Sequence, residues 1–361
     1  MSNLHVAVVG LGFGASFVPI YKKHPAVGKV TACDPNPELL QRVAAENGIE
    51  SRKSTLDEVL ADETVDAVHL LTPVPFHVEQ TLKVLNSGLH CACAVPAATD
   101  LDDLRKIVDA EKRSRKNYMM METGVYTREF LYAQQMIETG ELGNITFLRG
   151  TYYQDLSGDR PDYWRAQPPM HYGTHALGPV LALAKKRAVK VCCMGSGTLH
   201  PHIQMPGGNR FPLQTGIFRL EDSDVAVEVT RSWFQTARTY TEAFSVYGDK
   251  SGFEWQQIES EDPMVYRLET PPPGQVWNDA PGERVKVPFR PDLFPEELEE
   301  FTEGWHGGSH PHLVHEFISS IAESRPAAIN AIQSANWTAP GICANLSSLQ
   351  DGDPVTIPAF D

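Results

Sequence analysis

Val8-Val9-Gly10-Leu11-Gly12-Phe13-Gly14-Ala15 decides the fold of this chain. An apolar run rich in β-formers ends at Gly10 and a helical pattern opens immediately after it, so the spacing G-x-G-x-x-A falls where a strand turns into a helix. Each small residue has a physical task. Gly10 permits the tight turn, Gly12 lets a pyrophosphate approach the backbone, and Ala15 allows close helix packing, while the helix N-terminus offers amide donors to the phosphates. Gly14 and Phe13 complete the same turn. The next apolar run ends at Asp34, 22 residues beyond Gly12, where a carboxylate accepts hydrogen bonds from ribose hydroxyls and repels a 2′-phosphate. NAD is therefore favoured over NADP. Outside a strand–turn–helix context the same residues would be only a Gly-rich turn and a helix-capping aspartate.

Outward from this motif, strand candidates at Val6–Gly10, Val30–Asp34, Val65–Leu71, His90–Ala94 and Tyr118–Met121 alternate with helix candidates near Ser16–Lys23, Glu38–Asn47, Leu56–Ala61, Val78–Asn86 and Leu101–Ser114. Thr55 and Glu58 match a capping box. This is the pattern of a doubly wound parallel sheet. After Glu122 the pattern changes. A helix is expected over Arg128–Glu138, an extended run over Ile145–Gln154, and long alternating segments at Phe211–Leu220, Ala226–Phe234 and Thr239–Tyr247 that read as an antiparallel sheet. Pro/Gly-rich stretches at Pro201–Pro212 and Pro271–Pro281 read as loops, and His312–Glu323 as a late helix. The expected organisation is an α/β chain of two domains: a Rossmann domain over 1–123, and over 124–361 an α+β domain with a large, mainly antiparallel sheet, whose closing segment can pack back on the first. A length of 361 residues suits two domains better than one core.

Composition narrows the partners. With 31 Lys+Arg against 46 Asp+Glu, a net charge of −15 gives no attraction to nucleic acid or anionic lipid. Six cysteines without a CxxC pair read as reduced thiols of a cytoplasmic protein. No apolar run is long enough to span a membrane, and Met1 leads almost directly into the first strand, without a targeting segment.

Beyond the fingerprint, the chain carries Thr72-Pro73 with His77 after the third strand candidate, a strand leading into Pro96, Gly140-Glu141-Leu142-Gly143, and Tyr247-Gly248. Together these resemble the Gfo/Idh/MocA oxidoreductase superfamily. That resemblance implies that Thr72, Pro73, His77, Val95 and Pro96 line the cofactor site. Most of the superfamily has Glu-Lys-Pro where this chain has Ala94-Val95-Pro96, the lysine contacting substrate hydroxyl and nicotinamide. Valine donates no hydrogen bond, so proton abstraction passes to other groups.

A branch that also lacks the lysine is similar in further motifs: the NAD-dependent glycosidases of the α-N-acetylgalactosaminidase type. The parallels are Met119-Met120-Met121-Glu122, Gly150-Thr151-Tyr152, the stretch Tyr172 to Pro179 containing His175, and His306-Gly307-Gly308. Ala94 departs from that branch's glutamate. The resemblance implies catalytic roles for His175, Tyr152, Tyr172 and Glu122, and substrate contacts for His171 and His306. His171, Tyr172 and His175 are spaced to share one face of a helix starting after Pro168-Pro169. Taken alone, a His-x-x-x-His pair is more often structural than catalytic, Tyr152 is an ordinary strand aromatic, and the Met triplet a buried strand.

The implied chemistry is a redox-assisted cycle on a carbohydrate, with NAD retained and no net oxidation. A simple sugar or polyol dehydrogenase is the alternative within catalysis, and a non-catalytic NAD or sugar sensor the alternative outside it. His306, His310, His312 and His315 raise the question of a zinc site, but no matched acidic or thiolate set accompanies them and no metal is expected. Homo-oligomerisation through the second domain's sheet is implied by the resemblance.

Overall fold

Five apolar residues and His5, all buried, make up the first strand, Leu4–Val9 (β1): a parallel strand covered on both faces is apolar nearly throughout, and the His5 ring meets the hydroxyls of Thr31 and Thr64 at 2.7 and 2.9 Å. In this computed structural model, which describes residues 3–158, 160–271 and 273–361, β1 lies at the centre of a six-stranded parallel sheet. Met1 and, within the expected 271–281 loop, Pro272 fall outside the described residues. The other strands are β2 (Val27–Cys33), β3 (Ser51–Lys53), β4 (Ala67–Leu70), β5 (His90–Cys93) and β6 (Tyr118–Met120), in the order β3-β2-β1-β4-β5-β6. Between β1 and β4 the winding reverses, so the strand ends there open the crevice in which doubly wound sheets take their ligands. Thr55 caps the helix Leu56–Leu60, with Glu58 N–H donating to its hydroxyl at 3.2 Å and Glu58 accepting from the Ser54 amide at 2.7 Å.

The second sheet has nine strands: β7 (Ile145–Tyr153), β8 (Ala188–Ser196), β9 (Leu213–Leu220), β10 (Ala226–Ser232), β11 (Thr241–Gly248), β12 (Ser251–Glu254), β13 (Met264–Arg267), β14 (Gly282–Arg284) and β15 (Val355–Thr356). Their order is β14-β13-β12-β11-β7-β10-β9-β8-β15, antiparallel except for the parallel pair β7–β10. The helix Thr174–Ala184 covers one face, packed so closely that a Cβ on Gly150 would lie 2.3 Å from the Ala176 carbonyl oxygen. Leu148, Gly150 and Tyr152 of β7, Val227, Val229 and Arg231 of β10, and Phe244 and Val246 of β11 are buried.

The chain divides into two compact units: Met1–Tyr126 with Arg290–Ala335 and Phe360–Asp361, and Thr127–Phe289 with Asn336–Ala359. In the first unit, the helix His310–Ala322 contributes buried Leu313, Val314, Phe317 and Ile318. The helix Ala331–Ser348 escapes sequence reading because Pro340 lies inside it and it lacks a strong polar face. Gly341 on it faces the Met170 carbonyl oxygen, which a Cβ would approach to 2.1 Å.

Several histidines of the first unit are buried where a proton is costly. His24 Nε2 is 3.1 Å from His315 Nδ1, and burial with that neighbour pushes the His24 pKa down to about 4. Burial likewise takes His312 to about 4 and His69 to about 3. Unfolded, all three titrate near 6.5, so between about 6.5 and 4 the unfolded chain binds more protons than the folded one. Their contribution is complete above about pH 6.5 and shrinks as pH falls toward about 4. Urea unfolding at pH 7.5 and pH 5 should show a loss on the order of 1–2 kcal/mol per group. His24→Gln should flatten the profile, and a profile already flat to pH 5 would contradict the assignment.

Candidate active site

In the first unit the fingerprint turn has the geometry that its glycines imply. Gly10 sits at φ 92°, and a Cβ there would lie 2.6 Å from the Leu71 carbonyl oxygen. A Cβ on Gly12, by contrast, would meet nothing within 4 Å, leaving its surroundings open to a ligand. The amides of Gly12 and Phe13 precede the first intrahelical donor, the Gly14 N–H bonded to the Gly10 carbonyl, and are available to a diphosphate. Asp34, 8% exposed, is fixed at the end of β2: its Oδ2 accepts from the Leu11 amide at 2.7 Å and its Oδ1 from the Asn36 amide at 2.8 Å. The carboxylate retains lone pairs for ribose hydroxyls. An open glycine cradle beside an immobilised carboxylate fits NAD.

Thr72 and Pro73 follow β4, with Thr72 Oγ1 donating to Gln80 Oε1 at 2.5 Å. His77 lies beneath this turn, its Nε2 2.8 Å from the Thr72 carbonyl oxygen and its Nδ1 2.8 Å from that of Pro96. Burial alone would lower its pKa, but Cys93 and these two carbonyls hold it up to about 9. Both acceptors demand a proton, so the ring is an imidazolium that ties the turn after β4 to the strand end at Val95-Pro96. Val95 itself is buried.

Phe13 meets His306 and His310 edge-on at centroid distances of 6.0 and 5.7 Å, and His310 stacks on Phe17 at 4.3 Å. Thr123 Oγ1 lies 3.5 Å from His306 Nδ1. Preceding Thr123, the fully buried Glu122 caps a short 3₁₀ turn, its Oε1 accepting from the Gly124 amide at 2.8 Å. His306, Gly307 and Gly308 all have left-handed φ angles, an expensive conformation for the histidine. Of the four late histidines, His306 and His310 meet each other at a centroid distance of 5.7 Å, while His312 stacks on Tyr126 and His315 on His24. Among the described residues no group of three or more His, Cys, Asp or Glu side chains is placed to hold a metal ion.

The second unit brings together Tyr152, Tyr172 and His175, though not by the single helical face expected. Pro169–Tyr172 is a 3₁₀ turn and the α-helix begins only at Thr174; Gly173 separates them at φ −94°, ψ 0°, and a Cβ there would lie 3.0 Å from the Met170 carbonyl oxygen. His171 is therefore on the turn and His175 on the helix. The His175 ring meets Tyr152 edge-on at 5.2 Å and Tyr172 at 5.7 Å.

Strand register supplies what sequence reading missed. Tyr152 pairs directly with Arg231 on β10 and with Glu242 on β11. Glu242 Oε1 is 3.7 Å from His175 Nε2, both side chains being under a tenth exposed, and the Tyr240 hydroxyl donates to the same carboxylate. Arg231 is fully buried, its guanidinium 3.6 Å from the Tyr152 ring centroid and 4.0 Å from that of Trp233. Burial pushes the Tyr152 phenol up to about 12, against the pull of Arg231 and with the help of Glu242. Trp164, Tyr172 and Trp233 form an aromatic wall with centroids 5.1–5.4 Å apart. One signal was present in the sequence: Arg231 shares strand parity with Val227 and Val229, and Glu242 with Phe244 and Val246, which puts charges at core positions.

Comparison with known proteins agrees with this geometry. Residues 4–122 match the model described as oxidoreductase family, NAD-binding Rossmann fold, and residues 130–254 the Gfo/Idh/MocA C-terminal domain. The chain belongs to the Gfo/Idh/MocA oxidoreductase family and carries its NAD-binding Rossmann domain. A glycosyl hydrolase family 109 protein of Saccharopolyspora erythraea is 22% identical over 99% of this chain and 83% of its own. The levoglucosan dehydrogenase of Pseudarthrobacter phenanthrenivorans is 31% identical over 50% of this chain and 49% of its own. A levoglucosan dehydrogenase solved with NADH and L-sorbose has a TM-score of 0.82 at 20% identity, covering both chains completely.

Gly10→Ala tests the turn. A left-handed φ and a collision with Leu71 should cost about 1–3 kcal/mol, seen as a lower thermal midpoint together with weakened NAD⁺ binding by titration calorimetry. Unchanged values would overturn the reading of this turn.

Proposed function

We propose that this protein is a carbohydrate-active NAD enzyme that cleaves a glycoside through an oxidation–elimination–hydration cycle with no net redox change. The observation that carries it is the grouping of the enclosed side chains of His175, Glu242 and Tyr152 with the half-buried Tyr172, in a chain with Val95 at the position of the customary lysine. The family 109 relatives, whose similarity extends over the whole chain, support the same reading.

NAD⁺ held at the Gly10–Ala15 turn and Asp34 would supply reversible hydride transfer at carbon 3 of the sugar. His175 takes the hydroxyl proton released as that carbon becomes a ketone. The ketone acidifies the proton on carbon 2; its removal sends the bonding electrons into a new carbon–carbon double bond as the group on carbon 1 departs. Tyr172 lies beside His175 for that second proton. Tyr152, protonated at neutral pH, serves as a donor to oxygen. Water then adds across the double bond and the cycle closes. Glu122 completes the catalytic set, His171 and His306 serve substrate contact, and Gly10, Gly12, Phe13, Gly14, Ala15, Asp34, Thr72, Pro73, His77, Val95 and Pro96 the cofactor.

A plain sugar dehydrogenase is the second reading, favoured by the levoglucosan dehydrogenase relative. The assembly we propose is a homo-oligomer through the face of the nine-stranded sheet opposite the helix Thr174–Ala184. That face carries the half-exposed Met194 and Ile217, with the Arg149–Glu228 ion pair between them and the far edge. Six unpaired cysteines suit a cytoplasmic location.

Aryl glycosides and, separately, free sugars with NAD⁺ discriminate the readings. Aglycone release without accumulating NADH, together with NAD(H) recovered by mass from the denatured protein, is the expected outcome. Stoichiometric NADH from free sugars without aglycone release would replace it with the dehydrogenase. His175→Gln should lower turnover by about 10²-fold or more with NAD⁺ binding unchanged.

A further inference from the structure

We propose that Glu242 is the positioning residue for His175, and that its charge divides the proton work of the site between an accepting histidine and a donating tyrosine. The inference rests on the proposed role of His175 as proton acceptor, and deepens it.

Three observations converge. Glu242 lies on the buried side of β11, at the same parity as Phe244 and Val246, where a carboxylate has no packing reason to be. Its Oε1 is 3.7 Å from His175 Nε2, close enough to pair with an imidazolium but longer than a hydrogen bond to the neutral ring. Directly across the ladder is Tyr152, whose ring meets His175 at 5.2 Å. One negative charge thus borders both partners. It favours the protonated imidazole and disfavours the phenolate, separating the two groups' affinities for a proton in the directions that catalysis needs.

The charges that face this pair come from every surrounding element. Arg231 of β10 stacks beneath the Tyr152 ring, opposing the effect of Glu242 on that tyrosine. Tyr172 of the 3₁₀ turn adds its phenol beside His175, and Tyr240 donates to Glu242 from just before β11. Glu129 and Glu242 both lie within electrostatic reach of Glu259, so the carboxylates there reinforce one another. Arg231 is separated from Glu242 by the central strand, being on the opposite neighbour of Tyr152, and at Glu259 the cations Arg128 and Arg238 oppose the carboxylates of Glu129 and Glu242.

The step assigned is simple. When the substrate hydroxyl is oxidised, a reaction for which bound NAD⁺ would supply the hydride acceptor, the O–H proton passes to His175, and the resulting imidazolium is paired by the Glu242 carboxylate. Without the carboxylate the same proton transfer would leave an isolated cation in a nearly dry site.

The test is the titration of His175 in holoenzyme carrying [¹³Cε1]histidine, the resonance identified by its absence in His175→Gln. Glu242→Gln should lower the His175 pKa by at least about one unit, a tenfold loss of proton affinity, and Glu242→Asp should restore part of it. The acid limb of kcat/KM should move down with it, at unchanged Kd for NAD⁺. Should Glu242→Gln fail to fold, Tyr240→Phe carries the test: removing a donor from the carboxylate should raise the His175 pKa. A His175 pKa unmoved by Glu242→Gln, or unmoved or lowered by Tyr240→Phe, would overturn the proposal. The titration needs no turnover. If it shifts as expected while no glycoside is cleaved, the proposed reaction fails and the pairing stands; if glycosides are cleaved and the titration does not move, the reverse holds.

Discussion

A buried guanidinium has to be solvated by the protein that encloses it, and this requirement at Arg231 organises the second unit. Isolated charges in a low-dielectric interior are costly unless hydrogen bonds and polarisable neighbours surround them. Here no ion pair does so among the described residues. Instead, Nε donates to the Tyr172 carbonyl at 3.2 Å, one terminal nitrogen to Gln154 Oε1 at 3.2 Å and the other to the carbonyl of Ser232, while the Tyr152 and Trp233 rings close over the two faces. Those acceptors come from β7, β10 and the 3₁₀ turn before the covering helix. Satisfying one cation therefore fixes the turn that carries Tyr172 against the strands that carry Tyr152, and the two tyrosines inherit their placement from Arg231.

The first unit solves a comparable problem at His77. Two carbonyl oxygens face its two ring nitrogens, and only the doubly protonated ring satisfies both. Its positive charge makes both hydrogen bonds charge-assisted, which stiffens the link between the turn after β4 and the strand end at Val95-Pro96. In both units a buried cation serves as a cross-link between loops, and the anionic or polar groups meant for ligands, such as Asp34, are anchored by backbone amides rather than by counter-ions.

This explains what was legible from sequence and what was not. The Rossmann half was readable because its determinants are local: the run Val6–Val9, glycines at fixed offsets and an aspartate closing β2. Only β3 escaped, being three polar or charged residues on a sheet edge with no apolar signal. In the second half the alternating runs were readable as strands, but their order, the parallel β7–β10 pair and the join of Tyr152 with Arg231 and Glu242 depend on pairings across some 80–90 residues. No local pattern encodes register. His171 and His175 illustrate the converse: their spacing fits one helix, yet Gly173 and the tight approach to the Met170 carbonyl break the segment in two.

Valine at position 95 then acquires a definite physical meaning. A lysine at that strand end would bring a compact cation able to lower the pKa of a substrate hydroxyl before hydride leaves. A buried valine brings neither charge nor donor, so in the reaction proposed above the hydroxyl proton goes to another base, and a higher proton affinity would serve that base. Raising it takes a nearby negative charge, and the same charge makes any phenol beside it harder to ionise. In that proposal the pair His175–Glu242, bordered by Tyr152, is the proton acceptor that a chain without the lysine calls for. Such an arrangement would suit the reversible proton traffic of the proposed cycle, in which the group that accepts the proton in the first step holds it, paired with a carboxylate, until the hydride comes back.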